Sequence, residues 1–358
     1  MKFKKLDCQI IVLTCIIFAI GLLFQYSVSY QKDVPVFHNS AFKQLVWVLI
    51  GFLIVAFVLK IGYRSIISLS YYFYGIVLFL LMAVLVVGHE RLGAQRWIQL
   101  GAFNLQPSEF MKLSLILTLA YYLGRRKDRV LHVKSFLVPF FLTAIPAIFI
   151  LKQPDLGTAL LLFPTLLSML YIFGVEIKYL FGFLLSSVLF MPVLWNIMRP
   201  YQRQRLLVFV NPNMDPLGAG YTIIQSKIAV GSGGLLGKGW LSGTQNYLNF
   251  LPERHTDFIF SVVGEEWGFF GSMILLALYF FLVKRMLYIL DTTENVYGRL
   301  VIAGVATMLS LQVIINIGMT IGLFPVVGIT LPLISYGGSS LLTTFIGVGL
   351  VLSVQQMS

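Results

Sequence analysis

The sequence predicts an all-α polytopic membrane protein of about ten transmembrane helices, and three observations carry that prediction. The 358 residues are 58% hydrophobic and only 11% charged, with a mean hydropathy of +0.88. Apolar runs recur along the whole chain at the length of about 20 residues that a helical span requires. Lys and Arg gather between alternate runs, the asymmetry that orients helices in a bilayer. Soluble domains carry about a quarter charged residues, so a soluble enzyme, a disordered regulator and a disulfide scaffold are excluded. Cys8 and Cys15 fall in one apolar run, too far apart along a helix to pair.

Taken in order, the expected spans are Cys8 to Tyr30, Gln44 to Leu59, Tyr71 to Val87, Pro107 to Leu123 and Ser135 to Leu151. Gly157 to Gly174, Tyr179 to Met198, Trp267 to Val283, Leu300 to Leu323 and Ser335 to Gln356 complete the set. The first run is too long for a signal-peptide core and no small-residue cleavage site follows it, so it reads as a retained span. With the N-terminus inside, fourteen Lys and Arg fall in cytoplasmic segments against five in the short outer loops. Both termini are therefore expected in the cytoplasm. The formal charge of +12 does not point to nucleic acid, because the basic residues lie between apolar runs; membrane lipid is the expected anionic partner. The chain reads as one integral-membrane domain over residues 1–358.

Two stretches depart from tight connections. Residues 199–258 form a long outer loop between the seventh and eighth spans, with six cations against Asp215, Glu253 and Asp257. Loops of this length are usually functional. Residues 324–340 read Phe-Pro-Val-Val-Gly-Ile-Thr-Leu-Pro-Leu-Ile-Ser-Tyr-Gly-Gly-Ser-Ser, which resists a continuous helix. Non-helical backbone at membrane depth must be buried in protein or line a cavity. A re-entrant segment before the last helix is therefore expected, with a plain hydrophobic hairpin as the alternative.

Three motifs carry charge or glycine where chemistry could use them. Glu109 and Lys112 open the fourth span on one helix face, either as a salt bridge anchoring the helix or as part of a polar cavity wall. The run Gly231-Ser-Gly-Gly-Leu-Leu-Gly-Lys-Gly239 fails the phosphate-loop pattern, because Ser232 stands where a Gly is needed and Gly239 where Ser or Thr is needed. A glycine turn presenting backbone N–H groups to an anion stays open. Pro252-Glu-Arg-His-Thr-Asp257 is the densest cluster, placed where the outer loop returns to the membrane. The four histidines are scattered and no zinc spacing is present, so no metal ligands are assigned. A carboxylate acting as general base beside phosphate-holding cations fits these residue types, and a structural ion cluster is the alternative.

Six ordered runs, Gly93-Ala-Gln-Arg-Trp97, Gln106-Pro-Ser-Glu109, Gln153-Pro-Asp-Leu-Gly157, Asp215-Pro-Leu-Gly-Ala-Gly-Tyr221, Pro252-Glu-Arg-His-Thr-Asp-Phe258 and Leu333-Ile-Ser-Tyr-Gly-Gly-Ser339, resemble the SEDS family (shape, elongation, division and sporulation) across nearly the whole chain. Tyr201-Gln-Arg-Gln-Arg205, Lys238-Gly-Trp240 and Glu253-Arg-His255 resemble its elongation branch more than its division branch. The resemblance implies a peptidoglycan glycosyltransferase that polymerises lipid II for cell elongation and rod shape, in the bacterial cytoplasmic (inner) membrane. It implies Asp257 as the catalytic base, acting on the acceptor hydroxyl, with a polyprenyl pyrophosphate as leaving group and inversion at the donor. Arg203, Arg205, Lys238, Arg254 and His255 are the implied substrate-binding residues in the outer loop, and Arg96, Glu109 and Lys112 those nearer the membrane. A divalent cation, magnesium or manganese, could share the leaving-group charge while held largely by substrate phosphates. Implied partners are a class B penicillin-binding protein transpeptidase and other cell-elongation proteins. The competing readings are a lipid II flippase and a non-catalytic scaffold for the transpeptidase.

Overall fold

The computed structural model describes residues 6–30, 40–91, 94–100, 103–126, 133–189, 195–196, 198, 200–218 and 220–357. Lys2, Lys4, Lys5, Lys32, Gly93, Lys127, Arg129, Arg199 and Ala219, which bear on the expected orientation, motifs and loop charge, lie outside them. Each expected apolar run holds a helix. In chain order these are α1 (Cys8–Ser29), α2 (Ser40–Ile61), α4 (Ser70–Val87), α5 (Pro107–Gly124), α6 (Val133–Lys152), α7 (Leu156–Phe173), α8 (Ile177–Leu189), α12 (Ile259–Thr292), α13 (Val296–Thr320) and α14 (Gly338–Met357), with a short α3 (Tyr63–Ser68) after α2. Among the described residues six of them, α1, α2, α7, α12, α13 and α14, are long and apolar enough to cross a bilayer. The chain is a multi-pass membrane protein. Asp7 caps α1 by accepting from the Ile10 N–H at 3.0 Å, and Pro107 occupies the first turn of α5, where its missing N–H costs nothing.

Burial sorts the helices into a centre and a rim. α13 packs against α5, α7, α12 and α14, and its Leu300, Val301, Ile302 and Val305 are fully enclosed. α2 and α12 instead expose Leu53, Phe57 and Phe280, the large apolar side chains that a lipid-facing surface carries. The chain is not helical throughout. The connection carrying the Ala94-Gln-Arg-Trp97 run folds as an antiparallel meander of β1 (His89–Arg91), β2 (Ala94–Leu100) and β3 (Phe103–Leu105). Its pleat sends Arg96 and Ile98 to one face and Gln95, Trp97 and Gln99 to the other.

The outer loop is built rather than loose. It contains α9 (Pro200–Val210), a 3₁₀ turn (Pro212–Met214), α10 (Tyr221–Ser232) and α11 (Thr244–Tyr247). The glycine run that ends α10 does not cradle an anion. α12 is interrupted at Gly268, whose φ of 66° leaves helical space, and the glycine run is inserted into the break. Lys238 and Gly239 donate their N–H groups to the carbonyls of Glu265 and Glu266 at 3.0 Å each, while Phe269 and Phe270 donate to Gly234 and Leu235 at 2.9 and 3.1 Å. The N–H groups that an anion would need at Lys238 and Gly239 are thus used by a broken helix. A Cβ at Gly268 would lie 2.3 Å from the Gly237 nitrogen, so the two backbones meet only because both residues lack side chains.

Residues 321–337 carry no helix, and Leu331, Leu333 and Ile334 within them are buried, as expected of a segment enclosed by protein rather than of a hydrophobic hairpin. Side chains from surrounding helices satisfy its carbonyls. Gln25 Nε2 donates to Ile334 O at 3.0 Å, Gln44 Nε2 to the same oxygen at 3.4 Å, and the Tyr279 hydroxyl donates to Pro332 O. α1 approaches this segment so closely that a Cβ on Gly21 would stand 2.6 Å from Leu333 O and 2.8 Å from Ile334 Cα. Gly21→Ala is therefore expected to lower stability by about 1–3 kcal/mol, the scale of overpacking against backbone. Thermal unfolding in detergent should show a lowered Tm, whereas Gly75→Ala, with nothing within 4 Å of its Cβ, should show no loss.

Candidate functional site

Asp257 stands where four separated segments meet. Its loop precedes α12, and its main chain is fixed from outside: Asn316 Nδ2 on α13 donates to Asp257 O at 2.9 Å and to Ile329 O at 2.6 Å, joining the acidic loop to the non-helical segment. Beside it, Ser335 Oγ donates to Thr256 O at 2.6 Å, and the Tyr336 N–H and Gln25 Nε2 both donate to His255 O, at 2.8 and 2.9 Å. The side chain is thereby aimed rather than free to drift. A Cβ built on Gly328 would lie 3.4 Å from Asp257 Oδ2 and 3.9 Å from Arg96 Nη1, so this glycine leaves the gap in which carboxylate and guanidinium approach each other.

Arg96 reaches the site from β2. Its Nε donates to Gln153 O at 3.1 Å and its Nη2 to Pro154 O, with Asp155 Oδ1 4.0 Å from Nη1. Asp155 is buried and itself held, capping α7 through the Thr158 N–H at 3.1 Å and accepting from Gln106 Nε2 and Ser108 Oγ at 3.3 and 3.2 Å. Arg205 enters from α9 and donates to Val326 O at 3.2 Å. A small pocket beside it is bounded by Pro154, Tyr201, Pro325 and Val327. The result is a buried-to-surface sequence of alternating charge, Asp155, Arg96, Asp257 and Arg205.

Electrostatics follow from that order. Burial pushes the Asp257 carboxyl up to about 6, Glu253 adds to the rise, and Arg96 and Arg205 oppose it. The Arg205 guanidinium is pushed down by desolvation and by Arg96. His255 is pushed down chiefly by burial, with Glu253 opposing and Arg254 assisting, which keeps the imidazole neutral at neutral pH. Arg254 makes no ion pair among the described residues, and desolvation lowers its pKa.

The other expected residues are engaged elsewhere. Glu109 and Lys112 pair with each other, the ammonium 2.9 Å from both carboxylate oxygens, and Thr343 Oγ1 on α14 donates to Glu109 Oε2 at 3.3 Å. The pair is 6% and 3% exposed, so the reading of a helix-anchoring salt bridge fits its burial and that of an open cavity wall does not. Lys238 Nζ contacts Glu265 Oε1 at 2.7 Å and Thr244 Oγ1 at 2.9 Å, over the break in α12. Arg203 turns to Asn196 O at 2.8 Å and sits over the Trp195 ring. Among the described residues no three His, Cys, Asp or Glu side chains gather to hold a metal ion.

Residues 7–358 match the family profile of FtsW, RodA and SpoVE, described as a cell cycle protein. The chain belongs to the SEDS family. It is 45% identical to the peptidoglycan glycosyltransferase MrdB of Escherichia coli K12 over 79% of its own length and 76% of that protein's. It is 38% identical to stage V sporulation protein E of Bacillus subtilis, over 98% of this chain and 97% of the relative. Among solved structures, a chain described under structural coordination of polymerization and crosslinking by a peptidoglycan synthase complex superposes with a TM-score of 0.83 at 37% identity, covering 98% of both chains. The rod shape determining protein RodA of Thermus thermophilus superposes with a TM-score of 0.73 at 32% identity, covering 98% of this chain and 96% of that one.

Within this SEDS protein, Arg96, Arg205 and Asp257 converge with Asp155, to which the sequence reading assigned no role. A signal for Asp155 was present: an acid in an apolar setting, inside one of the six ordered runs. Asn316 had only a weak one, as a lone amide in an apolar span. Glu265, fully buried, had a partner in Lys238 that only the fold brings near. Lys238→Met should leave that carboxylate uncompensated and cost about 1–3 kcal/mol or more. Thermal unfolding of the single variant against Lys238→Met/Glu265→Gln checks this, the double variant being expected to recover part of the loss.

Proposed function

We propose that this SEDS protein is a peptidoglycan glycosyltransferase that polymerises lipid II, with Asp257 as general base. The observation carrying the proposal is the position of the Asp257 carboxylate. It is held by its backbone, set between Arg96 and Arg205, and raised to about 6 mainly by burial. An ordinary Asp is a weak base near neutral pH; one near 6 is still ionised at pH 7 yet better matched to removing a hydroxyl proton.

In the proposed reaction the acceptor GlcNAc 4-hydroxyl gives its proton to Asp257 as its oxygen attacks the anomeric carbon of the donor MurNAc. The bond to the polyprenyl pyrophosphate breaks in the same displacement, inverting that carbon with no covalent enzyme intermediate. Charge builds on the departing phosphate oxygens, so cations that reach the site stabilise the transition state. Arg205, whose charge acts on Asp257 and which opens to the surface, and Arg254, with no ion pair among the described residues, are the proposed cations. Arg96 is tethered by two carbonyls and orients Asp257. Neutral His255 offers a hydrogen bond to a sugar or phosphate. Arg203, Lys238, Glu109 and Lys112 support the surrounding helices and loop.

The site is proposed to face the outer side of the bacterial cytoplasmic membrane with both termini inside, on the Lys and Arg distribution. A class B transpeptidase is the proposed partner, in keeping with the peptidoglycan synthase complex named for one structural relative. A role in cell elongation rests on the resemblance of the 201–205, 238–240 and 253–255 runs to the elongation branch.

Polymerisation of labelled lipid II by purified protein, with and without its cognate transpeptidase, tests the proposal. Asp257→Asn should lose about 10²–10⁴-fold in rate, the contribution of a positioned base. For wild type the rate should climb as pH rises through about 6 and then level, since the base is disabled while protonated. Normal polymerisation by Asp257→Asn at equal folding would remove the assignment.

A further inference from the structure

The far end of α12 carries a second feature that the proposed reaction does not use. A groove of about 540 Å³ runs between the start of α1 and the last third of α12, lined by Cys8, Val12, Leu13, Phe281, Lys284 and Tyr288, with Arg285 beside them. Its volume falls in the range of about 300–1,000 Å³ that small-molecule sites occupy. α12 starts two residues after Asp257 and is one of the helices long and apolar enough to cross a bilayer, so Lys284 in its last third lies toward the opposite face of the membrane.

Its chemistry is divided. The wall is apolar, with Val12 and Phe281 about half exposed. The cations collect at one end. Arg285 is tied down, its Nη2 and Nε both 2.7 Å from Asp7 Oδ2 and its guanidinium stacked 4.7 Å from the Tyr288 ring centroid. Asp7 is spent on that pair and on the cap of α1. Lys284 has no ion pair or hydrogen bond among the described residues, so one positive charge is left over beside an apolar channel. The first turn of α1 also lines the groove, and a helix start carries partial positive charge.

We infer that this groove is a binding site for an anionic glycerophospholipid, with its phosphate on Lys284 and an acyl chain along Val12, Leu13 and Phe281. A zwitterionic lipid brings its own cation to the same place and gains nothing from Lys284. A free phosphate leaves the apolar wall exposed. Basic pockets between spans on the cytoplasmic side are the usual form of anionic-lipid recognition, and the Lys and Arg distribution places Lys284 on that side.

The test is native mass spectrometry of the full-length protein in detergent, titrated with phosphatidylglycerol, with phosphatidylcholine and with glycerol phosphate. Wild type should prefer phosphatidylglycerol about fivefold, the effect of one lysine at an anionic headgroup. Lys284→Gln should lose that preference and Lys284→Arg should keep it. Val12→Trp, which fills the groove, should weaken both lipids. Equal binding of the two lipids by wild type, a preference retained in Lys284→Gln, or glycerol phosphate competing as well as the intact lipid would each overturn the inference.

Discussion

Every backbone N–H and C=O in an apolar interior must find a partner, because no water is there to take one's place. Among the described residues two buried departures from plain helix, in α12 and between α13 and α14, are governed by that requirement. At Gly268 the ladder of α12 fails, and the glycine run supplies donors and acceptors in its stead. Between α13 and α14 the chain abandons helix altogether, and Gln25, Gln44, Tyr279 and Asn316 reach in from neighbouring helices to satisfy its carbonyls. These four polar side chains, buried in otherwise apolar helices, are thus structural partners of irregular backbone.

The geometry of the proposed site grows out of the same economy of partners. Asn316 meets both Asp257 O and Ile329 O, so the amide that stabilises the non-helical segment also sets the height of the proposed base. Arg96 spends its Nε and one Nη2 donor on the carbonyls of Gln153 and Pro154, which turns its Nη1 toward Asp155 and Asp257. The segments that form this site are tied to one another and to α13 by hydrogen bonds.

Most of the architecture was legible in the sequence, since hydropathy alone marks where helices stand and Pro107, Pro325 and Pro332 mark where they begin or cannot form. The three-stranded meander was not, because strands of three to seven residues leave little periodicity to detect. Of the proposed site, Asp257, Arg96 and Arg205 could be named from the motifs that contain them. Their arrangement around Asp155 was not, since α9, β2 and the start of α7 are far apart in the chain. Lys238 was legible only as a cation in a glycine-rich outer loop, and its partner in the fold, a carboxylate on α12, is one that spacing could not reveal.

The splice across Gly268 also constrains how the protein is made. Gly234 to Gly239 leave the ribosome before the helix whose hydrogen bonds they complete, and the proposed orientation places them across the membrane from the site of synthesis. The ladder of α12 closes only after that exported segment has folded back onto it. Biogenesis thus has a required order, export first and helix completion second. Until that loop has crossed, the carbonyls of Glu265 and Glu266 lack the N–H partners that Lys238 and Gly239 supply.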